Sequence, residues 1–158
     1  RLRRSGLLIQ RYVLAVATAT AVVVADLATK RYAALRFVDD PVTVFPGLLR
    51  FGYAENSGAA FSLFQGFGMW LGFAAIAVTV IVLWSLRVER PTIEVVALGL
   101  ITGGALGNFA DRLFRGEGLL DGRVIDWIVL WRIPTFNLAD VAVTSAVALL
   151  LIASWRTD

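Results

Sequence analysis

Four long apolar segments alternate with more polar connections along this 158-residue chain. They cover about residues 7–28, 68–86, 93–110 and 138–155. Each is close to the roughly 20 apolar residues that an α-helix needs to cross a bilayer. The pattern therefore predicts a mainly α integral membrane protein, with four transmembrane helices in one domain that covers residues 1–158.

The first apolar segment has a second interpretation, as a secretory signal. Arg1, Arg3 and Arg4 precede it, and small residues occur within it. The apolar run is long for the core of a signal peptide, and its polar residues match features found later in the chain. We therefore interpret it as a membrane-spanning helix.

Two longer connections, about residues 30–67 and 111–136, show a different pattern. The first alternates β-branched and aromatic residues with turn formers such as Pro46-Gly47 and Asn56-Ser57-Gly58. Such a pattern is typical of short strands joined by turns. Four helices place both connections on the same side of the membrane, where we expect them to form a small surface platform.

Charge indicates which side that is. The termini and the link around Arg87–Arg90 share the other side, and these short segments carry more Lys and Arg than Asp and Glu. Short loops that are rich in basic residues usually stay in the cytoplasm. We therefore expect cytoplasmic termini and an outward-facing platform.

The amino-acid composition excludes several kinds of binding and catalysis. The chain is 58% hydrophobic, with a mean hydropathy of +0.75 and a pI near 9.9. Its basic residues flank apolar runs and form no continuous basic face, which argues against nucleic-acid binding. It contains no Cys and no His, so disulfides, thiolate catalysis and the usual general base are excluded. Acid–base chemistry must use Asp, Glu, Lys or Tyr.

Ionisable residues at the ends of two predicted helices need partners, because a charge inside a bilayer is costly. Asp26 and Lys30 lie four residues apart on one face of the first helix, within reach of an ion pair. Asn108, Asp111 and Arg112 share one stripe of the third helix. Each set has two interpretations. It either stabilises its helix end, which in the second set would involve an Asp111–Arg112 interaction, or it shapes a site.

Two further features have an ordinary structural explanation. Gly103 and Gly107 form a pair of small residues one turn apart, which lets another helix come close. Asn56 and Gly58 lie in a turn, where Asn can cap or bind an extended peptide and Gly is conformationally free. An ordinary turn explains the second feature equally well.

Two aspartates are the candidates for chemistry. Asp126 is surrounded by apolar residues, and Asp140 falls in the first turn of the last helix, where the helix dipole stabilises an anion. Pro134 ends any extended run between them, so the chain can turn back and bring them together. Adjacent carboxylates cannot both ionise cheaply, so such a pair offers an acid and a base that activate water.

Both residues also have an ordinary structural explanation. Asp126 is then a charged loop residue that points outward, and Asp140 is a helix-terminal acid. Asp111 is an alternative partner for Asp140. We prefer Asp126, because Arg112 beside Asp111 is expected to hold that carboxylate ionised in a structural role.

Together these segments resemble the lipoprotein signal peptidase family, also called signal peptidase II. The matching pieces are "DLATK" (26–30), "ENSGAAFS" (55–62), "GGALGNFADR" (103–112), "VID" (124–126) and "FNLAD" (136–140). They occur in the family's order. Each is weak alone, but the ordered set is specific.

The resemblance implies an aspartic endopeptidase whose catalytic pair is Asp126 and Asp140. By the same matching, other family motif positions, which bind substrate or shape the site, fall on Asp26, Lys30, Asn56, Gly58, Asn108, Asp111, Arg112, Asn137 and Ala139. Asn56 and Arg112 match positions that hold the substrate backbone and the geometry of the site. The resemblance also implies an outer β-cradle and a short surface helix or loop.

Family members remove the signal peptide from prolipoproteins, just before the diacylglyceryl-modified cysteine. The resemblance therefore implies diacylglyceryl prolipoprotein substrates, contact with membrane lipid, inhibition by globomycin-type peptides, and no metal or other cofactor. It places the chain in the bacterial cytoplasmic membrane with the site at the outer face. The sequence departs from the family at Trp127, where Phe is usual, and in a lengthened segment at 116–123, typical of actinobacterial-looking members.

A non-enzymatic membrane protein is the competing hypothesis, either an ion or proton translocator or a lipid-binding scaffold. Intramembrane Asp and Lys also occur in transport pathways. A transporter usually places its acids near the midplane, in broken helices. Here the acids cluster at one end of the helices, which favours chemistry at the membrane surface.

Overall fold

The computed structural model of the protein describes residues 2–58 and 67–155. Within these residues the elements are α1 (Leu2–Arg36), β1 (Val42–Phe45), β2 (Leu49–Asn56), α2 (Gly68–Ser85), α3 (Thr92–Phe114), β3 (Val124–Leu130), β4 (Ile133–Phe136) and α4 (Leu138–Trp155). All four helices are long and apolar enough to cross a membrane. The predicted fold class, four transmembrane helices with a small sheet, is confirmed.

Two helices are longer than predicted. α1 continues to Arg36 and α3 to Phe114, beyond the predicted ends at residues 28 and 110. Residues 29–36 include no Gly or Pro, so nothing in the local sequence stops the helix. The apolar pattern had located the span, whereas the helix itself continues into polar sequence. α2 and α4 fall within one residue of the prediction.

The short strands predicted in the first connection are present, and they join two strands of the second connection in one antiparallel sheet of order β1-β2-β3-β4. The central pair joins β2 of the first connection to β3 of the second, and places Ala54 opposite Asp126 and Asn56 opposite Val124. This pairing, which is distant in sequence, brings the "ENSG" and "VID" motifs together. We call the end of the bundle that carries the sheet the sheet side.

α3 lies at the centre of the helices, and its glycines explain how. A Cβ at Gly103 would lie 2.6 Å from Val22 Cβ of α1, and one at Gly104 would lie 2.5 Å from the carbonyl oxygen of Ala139 in α4. Both distances are shorter than van der Waals contact, so only Gly permits this approach. The close packing proposed for Gly103 is therefore present, and it extends to a second face of α3.

The segment between α3 and β3 is a loop, not a helix, within the part of the chain that is described. Leu120 and Gly122 are its buried residues, and Leu120 has a φ of 58°. Its side chain packs directly against Gly72 of α2, where a Cβ would lie 2.8 Å from Leu120 Cδ1. The expected surface element is thus a loop here, and the second half of the "ENSGAAFS" motif, residues 59–62, lies outside the described residues.

Candidate active site

The sheet side brings Asp126 and Asp140 into one buried polar cluster. Asp126 lies within β3 and is only 2% exposed, so the alternative of an outward-pointing loop residue is wrong. Asp140 lies in the first turn of α4. A strand and a helix N-terminus therefore supply the two carboxylates.

Neutral amides hold the Asp126 carboxylate. The Nδ2 group of Asn56 donates to Oδ2 at 3.0 Å, and that of Asn137 donates to Oδ1 at 2.7 Å. Burial raises the pKa of Asp126 to about 6, and the negative charge of Asp140 raises it too, while the two amides lower it. Asp126 is thus a carboxyl that keeps its proton to an unusually high pH.

The Asp140 carboxylate belongs to a reciprocal helix cap. The backbone N–H of Asn137 donates to Asp140 Oδ2 at 3.2 Å, and the backbone N–H of Asp140 donates to Asn137 Oδ1 at 3.1 Å. This is the arrangement of a capping box, with Asn137 at the cap and Asp140 three residues later. Asn108 Nδ2 donates to Asp140 Oδ1 at 3.1 Å.

Asn137 connects the two carboxylates. Its side-chain amide donates to Asp126 and, at 3.2 Å, to Asn108 Oδ1, while its backbone N–H donates to Asp140. The residue is fully buried. Both candidate catalytic groups are therefore positioned from one asparagine, which links the cap of α4 to the strand that carries Asp126.

Lys30 is the cation at the base of the cluster. Its Nζ lies 2.7 Å from Asp26 Oδ2 and 2.9 Å from Asp111 Oδ2, and it donates to Asn108 Oδ1 at 2.9 Å. The ammonium is fully buried, and these three acceptors match its three N–H donors. The predicted Asp26–Lys30 pair is therefore present, as part of a larger network.

The same network supports the neighbours of the two carboxylates. Asp26 Oδ1 accepts from the backbone N–H of Ala139 at 2.9 Å, and Asp111 Oδ2 accepts from that of Ile125 at 3.2 Å. Ala139 precedes Asp140, and Ile125 precedes Asp126. Lys30 thus fixes α4 and β3 at the residues directly before the two aspartates.

Arg112 contacts backbone carbonyl groups beside the cavity. It donates to the carbonyl oxygens of Gly58 at 2.8 Å and Asn108 at 3.1 Å. The ion-pair partners of Asp111 in the described residues are Lys30 and Arg115. The alternative of a direct Asp111–Arg112 ion pair is therefore not formed among the described residues, because successive side chains on a helix point about 100° apart.

Arg115 and Gly58 refine the sequence-based description. Arg115 Nε lies 2.7 Å from Asp111 Oδ1, a contact that the i, i+4 spacing could have predicted. Gly58 contributes its backbone, since its N–H donates to Asn56 Oδ1 at 2.8 Å and its carbonyl accepts from Arg112. The alternative pairing of Asp111 with Asp140 is not formed, since Asp111 faces Lys30.

An apolar cavity of about 500 Å³ opens beside the cluster, between α2, α3 and α4. Leu71, Val78 and Phe136 belong to its apolar wall. Asn108, Arg112 and Asp140 are among its polar lining residues. A ligand in this cavity would place an apolar part between the helices and a polar part at Asp140.

Comparison with known proteins identifies the family. A family model described as signal peptidase (SPase) II matches residues 18–156. A lipoprotein signal peptidase of Parasynechococcus marenigrum is 38% identical over 141 residues, which cover 86% of this chain and 85% of that protein. One of Streptomyces coelicolor is 38% identical over 117 residues, or 74% of this chain, but the match spans only 57% of that relative's length.

The fold has solved counterparts. A bacterial membrane enzyme determined by the in meso method at 2.3 Å resolution matches with a TM-score of 0.79 and 28% identity, over 90% of this chain and 87% of that chain. A second, at 1.9 Å, matches with a TM-score of 0.73 and 29% identity. Since the family model covers most of the chain and the helices and sheet match membrane enzymes, this chain is a multi-pass membrane peptidase that belongs to the signal peptidase II family.

Proposed function

We propose that this chain is an aspartic endopeptidase that removes the signal peptide from diacylglyceryl-modified prolipoproteins, just before the lipidated cysteine. The observation that carries the proposal is the pair formed by Asp126 and Asp140, a buried and a half-buried carboxylate held from one asparagine. Family membership supports the substrate class and does not favour the alternative of a translocator or scaffold.

In the proposed mechanism Asp126 holds the proton and Asp140 is ionised. Burial raises the pKa of Asp126, so this carboxyl keeps a proton more readily than an ordinary one, and the N-terminus of α4 stabilises the anion of Asp140. Asp140 takes a proton from a water molecule while the water oxygen attacks the scissile carbonyl carbon. Asp126 gives its proton to the carbonyl oxygen, which yields a neutral tetrahedral diol.

Collapse of the diol completes the reaction. The C–N bond breaks, the nitrogen takes the proton held by Asp140, and Asp126 recovers a proton from a diol hydroxyl. The products are a free carboxyl on the signal peptide and a free amine on the lipidated cysteine. No group beyond the two aspartates is needed for proton transfer, which explains how a chain without His or Cys can hydrolyse a peptide bond.

Neighbouring polar residues would position the substrate. Arg112 lines the cavity and has five N–H donors, so it can hold a substrate carbonyl in addition to Gly58 and Asn108. Asn56 donates to Asp126 and lies at the end of β2, where it could also bind the extended backbone of a substrate. The apolar cavity between the helices would accept apolar parts of the lipidated substrate or of membrane lipid.

The location is part of the proposal. We place the chain in the bacterial cytoplasmic membrane, with cytoplasmic termini and the sheet side facing outward. The basic terminal segments and the Arg87–Arg90 link support this orientation. A lipidated substrate anchored in the outer leaflet would then reach the aspartates without leaving the membrane.

The test is cleavage of a purified diacylglyceryl prolipoprotein by the purified chain, with product masses recorded. We expect a single cut before the lipidated cysteine, inhibition by a globomycin-type peptide, and much slower cleavage of the same substrate without its lipid. Equal cleavage of both substrates would contradict the substrate class. Absence of cleavage, together with ion flux in liposomes, would favour the translocator.

A further inference from the structure

We propose that the far end of the sheet is a lipid-binding anchor that inserts into the membrane leaflet on the sheet side. The β1–β2 and β3–β4 turns lie together there, because the backbone N–H of Trp131 donates to the carbonyl of Leu48 at 2.7 Å. We define the apolar tip as Phe45, Leu48, Trp131 and Ile133. These four side chains are 43–66% exposed.

One of the two turns of the apolar tip has a strained backbone. Gly47 has a φ of 75° after Pro46, as a type II turn requires. Trp131 has a φ of 42° in a hairpin turn, where Gly, Asn or Asp is usual. A large aromatic residue in a left-handed conformation is an outlier, and such outliers concentrate at functional positions.

The charges around the apolar tip suit a phospholipid headgroup. The Arg132 guanidinium lies 5.1 Å from the centre of the Trp131 ring. Arg50 lines a cavity of about 240 Å³ between the turns, together with Phe45 and Trp131. Residues 41–54 and 127–139 contain no Asp or Glu. Aromatic side chains with nearby arginines and no acids are typical of membrane interfaces.

The position of β4 places the apolar tip beside the bilayer. Ile133 lines the 500 Å³ cavity together with Val141 and Thr144 of α4, which is a membrane-spanning helix. Ile133 of the apolar tip therefore lies close to a membrane-spanning helix, so the tip would be next to the surface of α4 that meets lipid. The occupant is the leaflet itself, with a lipid phosphate beside Arg50 and Arg132.

This anchor would have a consequence for catalysis, which rests on the proposed function. β2 and β3 run from the apolar tip to Asn56 and Asp126. Insertion of the tip would hold these strands at a fixed depth, so that the scissile bond of a membrane-anchored substrate meets the aspartates.

The membrane depth of a spin label tests the anchor without an assay of peptidase activity. The chain has no cysteine, so Leu48→Cys and, as control, Glu117→Cys at an exposed position of the 115–123 loop each accept one nitroxide label. In phosphatidylethanolamine–phosphatidylglycerol vesicles, we expect the label at 48 to be several-fold less accessible to a nickel chelate and more accessible to oxygen than the label at 117. Equal nickel accessibility at both positions would overturn the anchor.

Two further experiments test the phosphate contact and the role in catalysis separately. Arg50→Gln with Arg132→Gln should move the label at 48 towards water, and an unchanged depth would overturn the phosphate contact. Leu48→Ser with Trp131→Ser should raise KM for a lipidated substrate several-fold in vesicles, with kcat kept and no change in detergent micelles. Val88→Ser, equally exposed at the opposite end, is the matched control. Unchanged KM in vesicles would overturn the role in catalysis, while the label depths still report on insertion.

Discussion

Asn137 gives the start of α4 two roles at once. Its backbone and side chain form the helix cap with Asp140, and its amide also holds Asp126. A helix cap and a catalytic carboxylate were competing interpretations of Asp140, yet the geometry makes them compatible. The capping contact fixes the side chain of Asp140 in the orientation that also faces the site.

The pKa of Asp126 predicts how stability depends on pH. The folded pKa of about 6 exceeds the ordinary value of 3.8, so the folded chain binds this proton more tightly than the unfolded chain does. The resulting stabilisation is present below about pH 4 and is lost as the pH rises through 6. The unfolding free energy of the wild type should therefore fall relative to Asp126→Asn by up to about 3 kcal/mol.

Denaturation in mixed micelles between pH 4 and 7 measures this difference. Glu117→Gln, at an exposed loop position, is the control and should show no such dependence. A constant difference between wild type and Asp126→Asn over the whole range would contradict the raised pKa.

Lys30 predicts a large effect on stability. Lys30→Met would leave Asp26 and Asp111 buried without their shared cation, and removal of one partner of a buried ion pair typically costs about 3–5 kcal/mol. Arg31→Met removes the same charge from the adjacent, exposed position, and should cost no more than about 0.5 kcal/mol. Thermal unfolding of the two variants makes the comparison, and similar losses would show that the network contributes little.

At the scale of helices and strands, α3 organises the molecule through its small residues. Gly103 faces α1 and Gly104 faces α4, so three helices meet with their backbones nearly in contact. This closeness brings Asn108 and Asp111 of α3 within hydrogen-bond distance of Lys30 and Asp140. The polar cluster therefore depends on how tightly the helices pack below it.

Adding a methyl group to a glycine of α3 tests how strongly the molecule depends on this close helix packing. Gly103→Ala would place a Cβ 2.6 Å from Val22 Cβ and 2.8 Å from the carbonyl oxygen of Ala19, and overpacking of this kind costs about 1–3 kcal/mol. Gly6→Ala is the matched control, because no atom lies within 4 Å of its new Cβ. It should be neutral or stabilising by up to about 1 kcal/mol, since Ala favours helix. Equal thermal stability of the two variants would contradict this packing.

The sequence predicted spans and strands because their periodic patterns are local. It placed the ends of α1 and α3 too early, since hydropathy changes at the membrane surface whereas the helix continues. The β2–β3 register and the insertion of Leu120 at Gly72 depend on contacts between distant segments, which no local pattern contains. The Asp26–Lys30 pair was predictable from spacing, but its connection to Ala139 was not.

For the molecule as a whole, orientation is the property to establish. The proposed topology places the 115–123 loop outside the cell and the α2–α3 link inside. Single cysteines at Glu117 and Val88, both exposed, report on these two sides in a chain without native cysteine. A membrane-impermeant maleimide added to intact spheroplasts should label position 117 and spare position 88 until the cells are lysed. The reverse pattern would contradict the proposed orientation.

The central claim is that Asp126 and Asp140 act as one catalytic pair. The most direct measurement is the single-turnover cleavage rate of a diacylglyceryl prolipoprotein by Asp126→Asn, Asp140→Asn and the wild type, with thermal unfolding to verify that each variant is folded. Each substitution alone should lower the rate by at least about 1,000-fold, because loss of either member disables the unit. A folded variant of either kind that retains appreciable turnover would remove that aspartate from the pair and contradict the mechanism.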